Sequence, residues 1–183
     1  MQLSNKAVFL DRDGTIIEHV NYLSKCDEVK LLPKVEVAIK LLNESKFKVI
    51  VVTNQSGVAR GYFTEKTVRN VNKYVLELLN SLGAYIDGVY YCPHHIEGTM
   101  GDYGRDCYCR KPNPGMLKKA ACDFSIDLTS SFVVGDTYTD VEAGRRVGCK
   151  TVLLADRRDS SMADHVTTDL HGAVKWIMKE SRS

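Results

Sequence analysis

The chain has 183 residues, enough for one domain with a full-sized core. Hydrophobic residues make up 44% and charged residues 26%, as in globular proteins, and a net charge of only +2 argues against a nucleic-acid or membrane-surface partner. No apolar run approaches the roughly 18 residues of a membrane-spanning helix, and the apolar stretch near the N-terminus is shorter than the about 7–15 residues of a secretory leader, so a cytoplasmic protein is expected.

Ala7-Val8-Phe9-Leu10 reads as a first strand, and Asp11-Arg12-Asp13-Gly14-Thr15 follows it. Two carboxylates at i and i+2 on a strand end suit phosphoryl chemistry, one as nucleophile and the other as acid and base. An Asp-rich turn is the plain alternative, and the motif alone does not decide between them. Behind Pro33, the spacing of Val35, Ala38, Ile39 and Leu42 predicts a helix. Val49-Ile50-Val51-Val52 is the second strand, leading into Thr53-Asn54-Gln55-Ser56-Gly57. Those hydroxyls and amides can hold phosphate oxygens, although taken alone an ordinary polar loop with a helix cap is the simpler reading.

After Thr64, Val68, Val71, Val75, Leu78, Leu79 and Leu82 predict a second helix ended by Gly83. Gly88-Val89-Tyr90-Tyr91 is a weaker third strand. Residues 93–113 form no regular pattern and are too long for an ordinary connection, so the segment is expected to be functional or stapled. It ends in Arg110-Lys111-Pro112, whose paired cations can clamp a phosphate or simply face solvent. Pro114 opens a helix to about Phe124. Ser131-Phe132-Val133-Val134 is the fourth strand, with Gly135-Asp136 at its end, and a helix from Thr139 to Gly148 places Asp140 in its first turn. Asp136 adds a third carboxylate, making a hard oxygen site suited to Mg²⁺. Thr151-Val152-Leu153-Leu154 is the fifth strand, and Leu170, Val174 and Ile177 mark a last helix.

Alternating apolar strands and amphipathic helices predict an α/β fold, a doubly wound parallel sheet forming a single domain over residues 1–183. Ligands bind beyond the carboxyl ends of such strands, which directs attention to the segments after residues 10, 52, 91, 134 and 154.

Of six cysteines, Cys92, Cys107 and Cys109 lie together, whereas Cys26, Cys122 and Cys149 are scattered and read as small buried or half-buried residues. In Cys92-Pro93-His94-His95 and Cys107-Tyr108-Cys109, three thiolates and an imidazole make a closed tetrahedral site for structural Zn²⁺. Such a site, spanning about residues 92–109, would staple the irregular segment and fix the delivery of Arg110 and Lys111.

Taken jointly, Asp11-x-Asp13-Gly14-Thr15, Thr53, Lys111 and Gly135-Asp136-x-x-x-Asp140 resemble the four motifs of the haloacid dehalogenase superfamily of phosphatases. The resemblance implies a Rossmann-like core, here without a large cap domain, as in the histidinol-phosphate and heptose-bisphosphate phosphatase group. It implies Asp11 as nucleophile, Asp13 as acid and base, and Thr53 and Lys111 as ligands of the transferring phosphoryl group. Asp11, the backbone carbonyl of Asp13, and Asp136 would hold Mg²⁺.

The Cys-Pro-His…Cys-x-Cys-Arg-Lys-Pro loop further resembles the histidinol-phosphate and heptose-bisphosphate phosphatase group, and its length resembles the D-glycero-D-manno-heptose 1,7-bisphosphate 7-phosphatases. That pattern implies Cys92, His94, Cys107 and Cys109 as the zinc ligands, with His95 the alternative to His94. It implies a small sugar-phosphate substrate held by His19, Val20, Asn21 and Tyr22, by Thr53, Asn54, Gln55 and Ser56, and by Arg110 and Lys111. The first of these segments departs from the more usual Asp-His-Gly-Tyr, and Thr137 stands where some relatives carry a basic residue. Rival readings are a histidinol-phosphate phosphatase, a phosphotransferase, and an inactive zinc-stapled interaction domain, which would have lost Asp11, Asp13 or Lys111. A monomer is expected.

Overall fold

The structure, a computed structural model, describes residues 5–156 and 162–182. Residues 1–4, at the start of the leader reading, lie outside the described residues, as do the extreme ends of the span assigned to one domain.

Six parallel strands form one sheet in the order β3-β2-β1-β4-β5-β6. They are β1 (Ala7–Leu10), β2 (Lys48–Asn54), β3 (Gly88–Cys92), β4 (Phe132–Gly135), β5 (Lys150–Leu154) and β6 (His165–Thr167). Five helices alternate with them: α1 (Val35–Glu44), α2 (Glu65–Ser81), α3 (Gly115–Phe124), α4 (Tyr138–Arg145) and α5 (Leu170–Glu180). The chain therefore folds as the doubly wound α/β architecture expected from its alternation.

Strand side chains alternate between two cores, as the pleat requires. Val8, Leu10, Val49, Val51 and Val134 pack with α1, α2 and α5 on one face. Ala7, Phe9, Ile50, Val52 and Val133 pack with α3 and α4 on the other. β1 has no exposed side chain on either face, which is why its sequence reads as an unbroken apolar run.

Several boundaries differ from the sequence expectation. β2 continues through Thr53 and Asn54, because β3 pairs with it as far as Asn54 beside Cys92. α4 starts at Tyr138, one residue early, since Thr137 and Asp140 form a reciprocal capping box. β6 was not expected: its three residues are all half-buried and mix His, Val and Thr, so no period stands out. Cys122 also departs from expectation, being exposed on α3, while Cys26 is half-buried and Cys149 buried. No helix among the described residues is long and apolar enough to cross a membrane.

The strand order reverses about β1, since β2 lies to one side of it and β4 to the other. The Asp11 amide donates to the Val134 carbonyl at 3.0 Å, so the loops after β1 and β4 leave the sheet side by side. A crevice at this reversal is where an open parallel sheet binds its ligand.

Candidate active site and metal centres

A cleft of about 310 Å³ opens over the carboxyl ends of β1, β2 and β4. Every residue singled out in the sequence for chemistry, phosphoryl binding or substrate contact lines it: Asp11, Asp13, His19, Val20, Asn21, Tyr22, Thr53, Asn54, Gln55, Ser56, Arg110, Lys111 and Asp136. Arg12, Leu23, Gly57, Phe63, Thr137 and Thr139 line it too, and no contact or chemical role is expected of them from the sequence alone.

Lys111 is the electrostatic centre of the floor. It is only 4% exposed, and its Nζ donates to Asp11 Oδ1 at 2.9 Å, Asp140 Oδ1 at 2.5 Å and the Val52 carbonyl at 2.7 Å. Its backbone is also clamped: Asn54 Nδ2 donates to the Lys111 carbonyl at 3.0 Å, and the Lys111 amide donates to Asn54 Oδ1 at 3.1 Å. Asn54 thus lines the cleft while both ends of its amide are engaged by Lys111. Burial pushes the Asp11 carboxyl up to about 7, against the pull of Lys111 and with the help of the Asp140 charge. Lys111 moves upward, because the two carboxylates outweigh its desolvation.

Asp13 is held from three sides. Arg12 Nη2 donates to both of its carboxylate oxygens at 3.0 Å, and Gln55 Nε2 donates to Oδ2 at 2.9 Å. Thr53 Oγ1 lies 3.5 Å from the same oxygen and accepts from Gln55 Nε2 at 2.9 Å. Arg12 is itself buried and anchored to α2 through Asn72, whose Oδ1 accepts from its Nη1 at 2.8 Å. The Arg12 and Asn72 contribution was not legible in the sequence, since their partnership spans 60 positions.

Asp11, Asp136 and Asp140 bring carboxylate oxygens within 4.8 Å of one another. The fit to a hard cation is best at Asp11 and Asp136. Asp136 Oδ1 is buried with no hydrogen-bond partner among the described residues, an arrangement that is unfavourable unless a cation completes it. Burial, then the Asp140 charge, accordingly raises the Asp136 carboxyl. Asp140 is otherwise committed: Oδ1 takes Lys111, and Oδ2 accepts from the Thr137 amide at 3.1 Å and Thr137 Oγ1 at 2.6 Å. Gly14 completes the cradle. Its φ is +77°, and a Cβ there would collide with the Asp136 carboxylate.

A second cluster closes the irregular segment. Ligand atoms of Cys92, His94, Cys107 and Cys109 all lie within 4.8 Å of one another. Cys109 Sγ is 2.8 Å from Cys107 Sγ, 2.9 Å from Cys92 Sγ and 3.5 Å from His94 Nδ1. Three thiols and one imidazole on a common point fit Zn²⁺, whose bonds to sulfur are about 2.3 Å and which takes them as thiolates. His95 points elsewhere. Its Nδ1 accepts from the Glu97 amide at 3.1 Å, and its ring nitrogens lie 3.4 Å from Arg60 Nη2. Arg110, which follows Cys109, reaches back with Nη1 to the His94 carbonyl at 3.1 Å. Glu65, at the start of α2, accepts hydroxyl hydrogen bonds from Tyr91 at 2.6 Å and Tyr103 at 2.7 Å, which hold its carboxyl below the ordinary range.

Comparison with known proteins gives a consistent family. The HAD-hydrolase-like family model matches residues 108–173. The D-glycero-beta-D-manno-heptose-1,7-bisphosphate 7-phosphatase of Rhodopseudomonas palustris is 45% identical over 142 residues, covering 78% of this chain and 79% of that protein. The D-glycero-alpha-D-manno-heptose-1,7-bisphosphate 7-phosphatase of Photorhabdus laumondii is 41% identical over 143 residues, covering 78% of each. Among solved structures, D,D-heptose 1,7-bisphosphate phosphatase from B. bronchiseptica, complexed with magnesium and phosphate, superposes with a TM-score of 0.80 at 31% identity, covering 96% of this chain and 99% of that one.

Proposed function

Because the chain belongs to the haloacid dehalogenase-like family of D-glycero-D-manno-heptose-1,7-bisphosphate 7-phosphatases, we propose that it hydrolyses the 7-phosphate of D-glycero-D-manno-heptose 1,7-bisphosphate in bacterial ADP- or GDP-heptose biosynthesis. The observation that carries the chemistry is the convergence of two aspartates and a buried lysine on the floor of one cleft. Asp11 attacks phosphorus while the bond to the sugar oxygen breaks, and the phosphoryl group passes to its carboxylate. Asp13 gives a proton to the departing sugar oxygen. In the second half, Asp13 takes a proton from water as the water oxygen attacks phosphorus, releasing phosphate and restoring Asp11.

Lys111 and Thr53 hold the transferring oxygens, and Gln55 and Arg12 fix Asp13 in reach. Asp11, the Asp13 carbonyl and Asp136 hold Mg²⁺, which when bound neutralises charge on the phosphoryl oxygens. Residues 19–22 and Arg110 contact the sugar and its remaining phosphate. Zn²⁺ on Cys92, His94, Cys107 and Cys109 is structural. The reading includes a single domain over residues 1–183, working as a cytoplasmic monomer without a nucleic-acid partner, in keeping with a net charge of +2.

The test is Mg²⁺-dependent phosphate release from both anomers of heptose 1,7-bisphosphate, histidinol phosphate and fructose 1,6-bisphosphate. Preference for a heptose anomer supports the proposal and names the anomer. Preference for histidinol phosphate would leave the chemistry standing and overturn the substrate.

A further inference from the structure

The zinc cluster is tied to the sheet by a second, non-metal connection. Glu65 heads α2, and its two carboxylate oxygens take one tyrosine hydroxyl each: Oε2 from Tyr91 and Oε1 from Tyr103. Tyr91 stands on β3 immediately before Cys92. Tyr103 sits in the loop between the two halves of the metal cluster, and its carbonyl accepts from the His95 amide at 3.1 Å. Its ring lies beside that of His94, with centroids 5.9 Å apart. Arg69, one turn along α2, steadies the carboxylate at 3.6 Å and donates to the Tyr91 hydroxyl at 3.3 Å. One helix terminus thereby holds both the strand that presents the first cysteine and the turn that backs the histidine.

We propose that Glu65 is a positioning residue for the zinc centre, acting through Tyr91 and Tyr103 to set His94, and through the His94 carbonyl to aim Arg110 into the cleft. The inference rests on the zinc reading of the cluster. It separates two functions of one loop. Arg110 depends on His94, whereas Lys111 is held independently by Asn54 from β2. Loosening the Glu65 connection therefore disturbs substrate recognition more than chemistry.

The experiment uses the full chain with Glu65→Ala, Glu65→Gln and Tyr103→Phe, and Glu77→Ala as a control on the same helix, where Glu77 makes an exposed pair with Lys73. Zinc transfer from purified protein to a chromogenic chelator is timed, and kcat and KM are measured on the heptose bisphosphate. Loss of a partner that orients a metal ligand weakens metal sites by about 10–100-fold. Glu65→Ala is expected to release zinc faster by about that factor, Tyr103→Phe by about tenfold, and Glu65→Gln by less than Glu65→Ala, because the amide still accepts one hydroxyl. KM rises several-fold with kcat within about twofold of the parent, the split expected when binding and not chemistry is lost. Glu77→Ala matches the parent. Should Glu65→Ala fail to fold, Tyr103→Phe, which removes one hydroxyl, carries the test. Zinc-loaded variants releasing the metal at the parental rate overturn the inference alone. A parent protein purified without zinc overturns the zinc reading and the inference with it.

Discussion

The assignment of Asp140 to Lys111, and not to the metal, makes a quantitative prediction for Asp140→Asn. The carboxylate is 1% exposed and makes three hydrogen bonds. An amide of the same shape can still accept from Lys111 through its oxygen, but its NH₂ then faces the Thr137 amide, donor against donor. Loss of the cap is worth about 1 kcal/mol. Removing one partner of a buried ion pair costs about 3–5 kcal/mol, a ceiling here because Asp11 and the Val52 carbonyl remain on Lys111. We expect destabilisation of about 3 kcal/mol, the cap included. At about 2–4 °C per kcal/mol for a chain of this size, Tm falls by about 6–12 °C. With Lys111 no longer held between two carboxylates, kcat drops about a hundredfold, as when a preorganised donor is lost. The half-saturating Mg²⁺ concentration stays within about threefold of the parent, whereas Asp136→Asn raises it by far more. Thermal melts and a Mg²⁺ titration of phosphate release read all three quantities. An Asp140→Asn protein with unchanged Tm and a Mg²⁺ requirement as weakened as that of Asp136→Asn would show that Asp140 is a metal ligand, and would refute the reasoning.

Asp11→Asn should abolish phosphate release while the circular-dichroism spectrum remains that of the parent; measurable turnover would sink the nucleophile assignment. The same variant tests the electrostatics of the floor. Burial raises the Asp11 carboxyl from an ordinary 3.8 to about 7, so between those values the folded protein holds a proton that the unfolded chain has released. Stability must then fall as pH rises across that window. In Mg²⁺-free buffer, Asp11→Asn is expected to melt higher than the parent at pH 7.5, with the gap closing at pH 5; equal gaps at both pH values would contradict it. Gly14→Ala places a Cβ against the Asp136 carboxylate at φ +77°, and should cost more than 1 kcal/mol of stability and most Mg²⁺-dependent activity; retention of both would remove the cradle argument. Zinc removal by a chelator should lower Tm and raise KM before it affects the far-UV spectrum, since the sheet is built from other residues.

Much of the fold is legible because the strands that matter are buried on both faces. Val8 to Leu10 and Val49 to Val52 are apolar at every position, and turn signals bound the helices between them. Legibility fails where structure depends on distant partners. β6 has only three half-buried residues, so it owes its strand conformation to pairing with β5. The site follows the same rule. Asp11, Asp13 and Asp136 are visible because strand ends announce them. Asp140 looks like an ordinary helix-start acid until Lys111, 29 positions away, is brought against it. Asn54 reads as a substrate contact, and nothing local says that its amide also clamps the Lys111 backbone. Arg12 sits inside the most recognisable motif of the chain, yet nothing local says that its Nη1 is anchored on Asn72 of α2 while its Nη2 holds Asp13.

The saturation of Lys111 has a consequence for catalysis. An ammonium group has three donors, and here all three are taken, by Asp11, Asp140 and the Val52 carbonyl. A phosphoryl oxygen can reach Lys111 only by displacing one of them. The Val52 carbonyl belongs to a central strand and cannot move, and Asp140 is locked by the α4 cap. Asp11 is the acceptor placed to yield, since among the described residues its carboxylate is joined to the floor by this one hydrogen bond and stands on a loop beyond β1. On the proposed chemistry, substrate binding would substitute a phosphate oxygen for Asp11 on Lys111 and, in the same exchange, free the Asp11 oxygen to attack phosphorus. The arrangement keeps a buried cation neutralised between turnovers and makes the nucleophile available when there is something to attack.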